Sequence, residues 1–198
     1  MKETFEWIQT WCDHTEKNDL PRVLLVGDSI TRAYQERVRE ILSGKFYVDY
    51  LAASYSIDQP IFVNFVTSFA KDSDYALIHF NHGLHGWHNT DKVYGEGIEK
   101  LLADVGKNRK VILATSTLVK ESGNARIDYR QTGVILRRNQ VLQKISERNG
   151  YAIDDLYAVS ANLPNEFRWE DGVHYDERGS ERLAEAVAKS IEKEYAKK

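Results

Sequence analysis

The feature that most constrains the fold of this 198-residue chain is an apolar run that ends in glycine, aspartate and serine. Residues 23–26 are all aliphatic, and Gly27, Asp28 and Ser29 follow before helix-like sequence begins. Such a run is typical of a strand that is buried on both faces of a parallel sheet. Ser29 should therefore lie at the carboxyl edge of the sheet, where open α/β folds bind ligands. Asp and Ser are also preferred helix N-caps, so these residues alone fit a cap or a nucleophile.

Strand-like and helix-like segments alternate along the rest of the chain. Further strands are predicted at 45–52, 75–80, 110–115 and 151–153 from their apolar and β-branched residues. Helices are predicted at 3–14, 31–42, 60–70, 91–106, 134–148 and 177–195, with a surface loop over 118–131. With right-handed crossovers this order gives a three-layer α/β/α sandwich around a five-stranded parallel sheet.

Length and composition exclude several classes of protein. The chain suits a single domain over 1–198, in which residues 1–20 form an N-terminal helix and lead-in. Its 27 basic and 30 acidic residues give a net charge of -3, which argues against a nucleic-acid groove or a polybasic membrane patch. The single cysteine, Cys12, allows neither an intrachain disulfide nor a multi-cysteine metal site.

The sequence also bears on the cellular compartment. No stretch approaches the 18 apolar residues of a membrane span, and the N-terminus lacks the apolar core of a signal peptide. The expectation is a cytoplasmic protein without a membrane or nucleic-acid partner. A secreted protein whose signal peptide had been removed would look the same, and the sequence does not indicate an oligomeric state.

A serine, a histidine and an aspartate occur where they could form a catalytic triad. Ser29 follows a buried strand, and Asp171 and His174 lie three residues apart in the loop before the last predicted helix. Serine needs a base to take its proton, and a carboxylate that orients the base makes it more effective. Taken singly, His174 fits a surface histidine and Asp171-Gly172 a common turn. Their combination favours nucleophilic catalysis.

These motifs resemble the SGNH, or GDSL-like, hydrolase family. Gly27-Asp28-Ser29 matches its nucleophile block, residues 171–174 match its C-terminal Asp-x-x-His block, and Asn139 with residues 154–157 resembles its helix–strand segment. The resemblance spans roughly residues 22–194. It implies a flavodoxin-like fold and ester cleavage through an acyl-enzyme on Ser29, with His174 as base, Asp171 as its partner and no cofactor.

Two blocks depart from the family pattern where the oxyanion donors are expected. The glycine after the second strand is absent, and Ser54 is the predicted backbone donor there, beside Ser29. The usual Gly-x-Asn-Asp after the third strand is replaced by residues 81–84, and Asn81 is predicted to donate its side-chain amide. The alternative for Asn81 is an amide that merely caps the turn after the strand.

Four histidines, His79, His82, His85 and His88, recur at intervals of three residues. Because His79 lies in a predicted strand and glycines interrupt any helix, the four need not converge on a metal ion, and no metal is predicted. A substrate cleft at the sheet edge is the preferred interpretation, and its predicted substrate-binding residues are Asp28, His82, His85 and Trp87.

The function predicted from the sequence is a serine ester hydrolase that removes small acyl groups, with acetyl groups of a carbohydrate as one candidate substrate. The main alternative is a non-catalytic carbohydrate- or ligand-binding module on the same fold. A phosphotransfer domain that uses Asp28 is a further alternative, but it would have no use for Asp171 and His174.

Overall fold

The computed structural model describes residues 2–123 and 126–197 and shows an α/β fold built on one sheet. Its strands are β1 (Ile8–Trp11), β2 (Arg22–Gly27), β3 (Tyr47–Ala53), β4 (Tyr75–Asn81), β5 (Lys110–Ala114) and β6 (Ala152–Asp154). The six strands lie in the order β1-β3-β2-β4-β5-β6. All neighbouring pairs are parallel except β1 with β3.

Helices cover both faces of this sheet. They are α1 (Ser29–Ile41), α2 (Pro60–Asp72), α3 (Asp91–Val105), α4 (Tyr129–Asn149), α5 (Leu156–Ala161) and α6 (Glu177–Tyr195). One apolar cluster unites α1 and α6 with one face of the sheet, and the other unites α2, α3 and α4 with the opposite face. The predicted three-layer sandwich is confirmed. No helix among the described residues is long and apolar enough to cross a membrane.

The N-terminal segment differs from its prediction. Residues 3–14 were expected to form a helix, but Ile8–Trp11 pairs antiparallel with β3, with Ile8 opposite Ala53 and Trp11 opposite Tyr50. The helical spacing of the apolar residues does not produce a buried stripe, since Trp11 is 51% exposed. Pairing instead satisfies the backbone groups of the otherwise open edge of β3. The sheet therefore has six strands rather than the predicted five.

Smaller differences concern the loop over 118–131 and the segment after β6. Helix α4 begins at Tyr129, before the predicted residue 134, because Asp128 caps it by accepting a hydrogen bond from the Gln131 N–H at 2.9 Å. Residues 124 and 125 of the predicted loop lie outside the described residues. The short helix α5 follows Asp155, which caps it through the Ala158 N–H, and was not predicted.

The central strand β2 is buried on both faces, as its sequence predicted. Val23 and Leu25 belong to the cluster around α1 and α6, whereas Leu24 and Val26 belong to the opposite cluster. The strand ends at Gly27, which is paired with Asn81 of β4. Because β2 is packed on both faces, the point at which the chain leaves the sheet and enters α1 is fixed relative to the other strands.

Gly27 has no room for a side chain. A Cβ atom at this position would lie 2.0 Å from Thr31 Oγ1 and 2.3 Å from the Asn81 carbonyl oxygen. Both neighbours belong to the ends of packed elements, α1 and β4, so neither can move without disturbing the sheet edge. The glycine therefore permits the close approach of β2, β4 and α1.

We expect Gly27→Ala to lower the free energy of unfolding by about 3 kcal/mol or more, because the added methyl overpacks the sheet edge. Gly133→Ala is the matched control: its Cβ would lie 3.9 Å from the nearest atom, inside α4. The control should raise stability by about 0.5–1 kcal/mol through helix propensity. Urea denaturation of both variants measures the difference, and equal stabilities would contradict the close approach.

Candidate active site

Ser29 is the first residue of α1, and only Asp28 separates it from the end of β2. Its side chain reaches the surface, although the residue is only 8% exposed. Its backbone N–H has no hydrogen-bond acceptor among the described residues. Free N–H groups and the positive end of the helix dipole make such a helix start suitable for stabilising an anion.

A chain of hydrogen bonds joins Ser29, His174 and Asp171. Ser29 Oγ lies 2.8 Å from His174 Nε2, and His174 Nδ1 lies 2.7 Å from Asp171 Oδ2. Since the carboxylate can only accept a proton, the ring carries its hydrogen on Nδ1 and leaves Nε2 to accept the hydroxyl proton of Ser29. The structure brings together the three side chains that the sequence placed in a triad, with the hydroxyl and both ring nitrogens in line for proton transfer.

The loop before α6 holds Asp171 and His174 in a hairpin-like turn. Arg168 and Tyr175 form an antiparallel bridge at its base. Inside the bridge, the Trp169 N–H donates to the His174 carbonyl oxygen at 3.0 Å. The two triad residues are therefore fixed by one small backbone unit.

Asp171 also organises the backbone of this turn. Its Oδ1 accepts the N–H groups of Val173 at 2.8 Å and His174 at 2.9 Å. Partial burial opposes ionisation, but the hydrogen bonds from the His174 ring and from the two N–H groups hold the pKa of Asp171 below its ordinary value. The carboxylate thus remains charged at mildly acidic pH and can orient the imidazole.

Asp28 does not line a substrate cleft, contrary to the prediction. It is buried, caps α1 by accepting the Ile30 N–H at 3.0 Å, and accepts the Gly83 and Leu84 N–H groups at 3.1 Å each. With both oxygens engaged by backbone donors, the side chain links the start of α1 to the loop after β4. Asp28 is therefore the N-cap residue of α1, and this leaves the side chain of Ser29 free for another role.

Ser54 is not available as the predicted backbone oxyanion donor. Its N–H donates to the Trp7 carbonyl oxygen at 3.1 Å, and its hydroxyl donates to Glu6 at 2.8 Å. Both contacts exist because the N-terminal segment continues from β1 along the end of β3. The sequence did not predict this pairing, and so it could not show that the Ser54 N–H was already bonded.

Asn81 ends β4, as expected, and its side chain is buried. Its Nδ2 donates to the carbonyl oxygens of Ala114 at 3.4 Å and Thr115 at 3.3 Å. These contacts link the ends of β4 and β5 instead of capping the turn that follows β4. An oxyanion contact by the amide stays a prediction.

His82 is buried rather than exposed in a cleft. Its Nε2 donates to the Tyr55 carbonyl oxygen at 2.9 Å, and its ring lies 4.4 Å from that of Phe62. Burial lowers the pKa of His82 to about 4, against the opposing effect of the Asp28 charge. His82 therefore packs as a neutral core histidine, and the prediction that it binds substrate is wrong.

His85 and Trp87 lie in the loop between β4 and α3. His85 Nδ1 contacts Glu3 Oε2 at 3.0 Å, which attaches the N-terminal segment to this loop. Trp87 is exposed and lines a cavity of about 420 Å³ with side chains of α4 and its cap. Substrate binding by either residue stays a prediction.

Arg138 of α4 also holds this loop, a role that the sequence did not indicate. Arg138 is fully buried in α4 and donates to the carbonyl oxygens of Gly83, His85 and Gly86 at 2.6–2.8 Å. Arginine is rarely buried, so a residue at this position of a helix is normally assigned to the surface. The doublet Arg137-Arg138 offered no signal that one member points inward.

The four regularly spaced histidines do not form one cluster. Their side chains contact Asp154 (His79), the Tyr55 carbonyl (His82), Glu3 (His85) and Asp58 (His88). Over residues 2–123 and 126–197, no group of three or more His, Cys, Asp or Glu side chains could hold a metal ion.

Comparison with known proteins gives a consistent answer on the fold. No family model matches the chain, and a search of curated proteins finds no similar sequence. Among solved structures, a lipase/acylhydrolase from Enterococcus faecalis is 17% identical, with a TM-score of 0.71 over 88% of this chain and 96% of that one. A member of the lipolytic G-D-S-L family from Veillonella parvula is 17% identical, with a TM-score of 0.67 over 85% and 96%.

An acetylxylan esterase from Geobacillus stearothermophilus is 16% identical, with a TM-score of 0.70 over 89% of this chain and 96% of that one. These likenesses show that the chain has the fold of the SGNH, or GDSL-like, hydrolases, as its motifs implied. At such identities they establish the fold and leave the reaction to be argued from the site.

The buried His82 predicts a specific acid sensitivity of the fold. Its pKa of about 4 lies below the ordinary 6.5, so only the unfolded chain takes up this proton between those values. The stability that depends on neutral His82 is present above pH 6.5 and is lost as the pH falls toward 4, by about 3 kcal/mol. In urea denaturation across this range, His82→Gln should show a smaller decline than the wild type. Parallel declines would show that His82 does not titrate in this way.

Proposed function

We propose that the protein is a serine esterase that removes small acyl groups through an acyl-enzyme on Ser29. The observation that carries the proposal is the continuous hydrogen-bond chain Ser29–His174–Asp171, with distances of 2.8 and 2.7 Å. A buried cap or a surface histidine would not require this alignment. The fold shared with acylhydrolases and an acetylxylan esterase supports the same reaction.

Acylation begins when His174 Nε2 takes the hydroxyl proton of Ser29 while Oγ attacks the ester carbonyl carbon. The imidazolium that forms is stabilised by Asp171, whose carboxylate stays ionised. Collapse of the tetrahedral intermediate breaks the bond to the alcohol oxygen, and His174 donates its proton to that leaving oxygen. The acyl group then remains on Ser29 as an ester.

Deacylation repeats these steps with water. His174 removes a proton from a water molecule, and the resulting hydroxide attacks the acyl carbon. The second tetrahedral intermediate releases the carboxylic acid, and the proton held by His174 returns to Ser29 Oγ. The chain's own side chains supply every proton transfer, so the mechanism uses no cofactor.

The negative oxygen of each intermediate needs hydrogen-bond donors. The Ser29 N–H is unengaged among the described residues and lies at the positive end of α1. Because the Ser54 N–H is bonded to Trp7, a second backbone donor has to come from the following turn. There, the N–H groups of Tyr55, Ser56 and Ile57 have no acceptor among the described residues.

Substitution of the nucleophile is the first test. A fluorophosphonate probe should add one adduct to the wild type at Ser29 and none to Ser29→Ala, as read by intact-mass spectrometry and peptide mapping. The variant should keep its melting temperature within a few degrees, because Asp28 and not Ser29 caps the helix. Labelling of Ser54 or Ser56 would contradict the assignment. An unlabelled wild type that turns over no ester would instead favour the binding module.

Asp171→Asn should lower kcat by about 10³-fold or more, because the amide cannot hold the imidazole in the productive tautomer. Glu170→Gln, the adjacent exposed carboxylate, is the matched control and should retain activity. The dependence of wild-type kcat/KM on pH is a second measurement. No separate step from Asp171 should appear above pH 4, since its pKa is lowered from 3.8. Equal activities of the two variants would contradict the triad.

A further inference from the structure

Trp169 is an exposed aromatic residue beside the proposed base. Its ring centroid lies 6.1 Å from that of His174, and the residue is 58% exposed. Large apolar side chains at such exposure are not held by core packing. A tryptophan next to a reacting group therefore offers a flat surface to whatever binds there.

The backbone of Trp169 is held by hydrogen bonds, although its side chain is exposed. Its backbone N–H donates to the His174 carbonyl oxygen at 3.0 Å, and its backbone carbonyl oxygen accepts a hydrogen bond from the Gly172 N–H at 3.1 Å. Gly172 has a positive φ of 76°, and a Cβ atom there would lie 2.1 Å from the Lys120 carbonyl oxygen. The turn that aligns the triad therefore also fixes the backbone of Trp169, whose indole ring lies beside His174.

A groove of about 590 Å³ runs from Trp169 between α1 and the start of α6. Apart from the tryptophan, its polar walls carry both charges: Arg32, Glu36, Arg37, Asp176, Glu177 and Glu181. This volume falls in the range of small-molecule sites. The groove lies beside the triad, since Arg32 follows Ser29 by one turn of α1 and Asp176 follows His174 closely.

Arg32 is held at the mouth of this groove by the N-terminal segment. Its guanidinium stacks on the Trp7 ring, 4.4 Å from the centroid. The N–H groups of the guanidinium have no acceptor among the described residues, so they are available as donors. Arg37, in contrast, is already paired with Glu40 and Glu181.

We propose that Trp169 is the stacking platform for the alcohol part of the substrate and that this part is a saccharide. This inference rests on the proposed esterase function. A pyranose has an apolar face of C–H groups and a rim of hydroxyls, which match the indole face and the donors and acceptors of the groove. An aliphatic alcohol would match the indole but would offer no hydroxyl rim to the free guanidinium N–H groups of Arg32.

The test compares two acetyl esters that differ in the alcohol. Trp169→Ala should lower kcat/KM for acetylated xylobiose about tenfold or more, mainly by raising KM, because the apolar face of the sugar is no longer covered. Hydrolysis of ethyl acetate, whose alcohol has no ring face, should change about twofold or less. Trp169→Tyr should restore most of the activity on the sugar ester, since an aromatic face is kept.

Trp11→Ala is the matched control. Like Trp169, Trp11 is an exposed tryptophan, but it packs against Arg39 and lies on the edge strand β1. This variant should leave both activities unchanged. Binding of acetylated xylobiose to Ser29→Ala, measured by calorimetry, should weaken when Trp169→Ala is added.

The outcomes separate the inference from the proposed function. Equal losses on ethyl acetate and the sugar ester would mean that Trp169 only positions His174, which would overturn the platform. A wild type that hydrolyses ethyl acetate but favours no sugar ester would overturn the platform and leave the esterase intact. A wild type that hydrolyses neither ester and takes no fluorophosphonate would overturn both.

Discussion

The carboxylate of Asp28 joins the two parts of the chain on which the site depends. It accepts the Ile30 N–H at the start of α1 and the Gly83 and Leu84 N–H groups after β4. Leaving such buried donors unsatisfied would cost about 1–3 kcal/mol each. Ser29 follows Asp28 directly. The carboxylate that caps α1 therefore also holds the proposed nucleophile, Ser29, close to the loop after β4. Capping and nucleophilic attack competed as interpretations of the sequence; Asp28 caps the helix, and the adjacent Ser29 is the proposed nucleophile.

The loop after β4 is held from its other side by Arg138. The buried carboxylate of Asp28 accepts hydrogen bonds from two N–H groups of this loop, and the buried guanidinium of Arg138 donates to three of its carbonyl oxygens. Over the described residues, Arg138 has no carboxylate within salt-bridge distance, so the carbonyl dipoles and the faces of Tyr94 and Trp87 compensate its burial. Opposite charges on opposite sides give the loop one conformation beside the proposed nucleophile.

The predictable parts of the structure are those that local pattern controls. The parallel strands follow from apolar runs, and Ser29, Asp171 and His174 could be grouped because together they supply a nucleophile, a base and an orienting carboxylate. Strand β1 could not be predicted, because it forms by pairing with an edge that exists only in the folded sheet. The same distant pairing removes the Ser54 N–H from the oxyanion candidates. The burial of His82 is likewise set by neighbours remote in sequence.

Burial also distinguishes the pair His79–Asp154 from the proposed catalytic pair His174–Asp171. His79 Nε2 lies 3.0 Å from Asp154 Oδ2, a geometry close to that of His174 and Asp171. His79 has no exposed surface, however, whereas the His174 side chain is 32% exposed. A histidine that acts as a base for a serine needs the hydroxyl within hydrogen-bond distance of one ring nitrogen, and substrate must be able to reach it. His79 does not meet the first requirement, because its Nδ1 has no hydrogen-bond partner among the described residues. The pair His79–Asp154 therefore links β4 to β6, whereas the pair His174–Asp171 lies on an accessible turn beside Ser29, where we propose proton transfer.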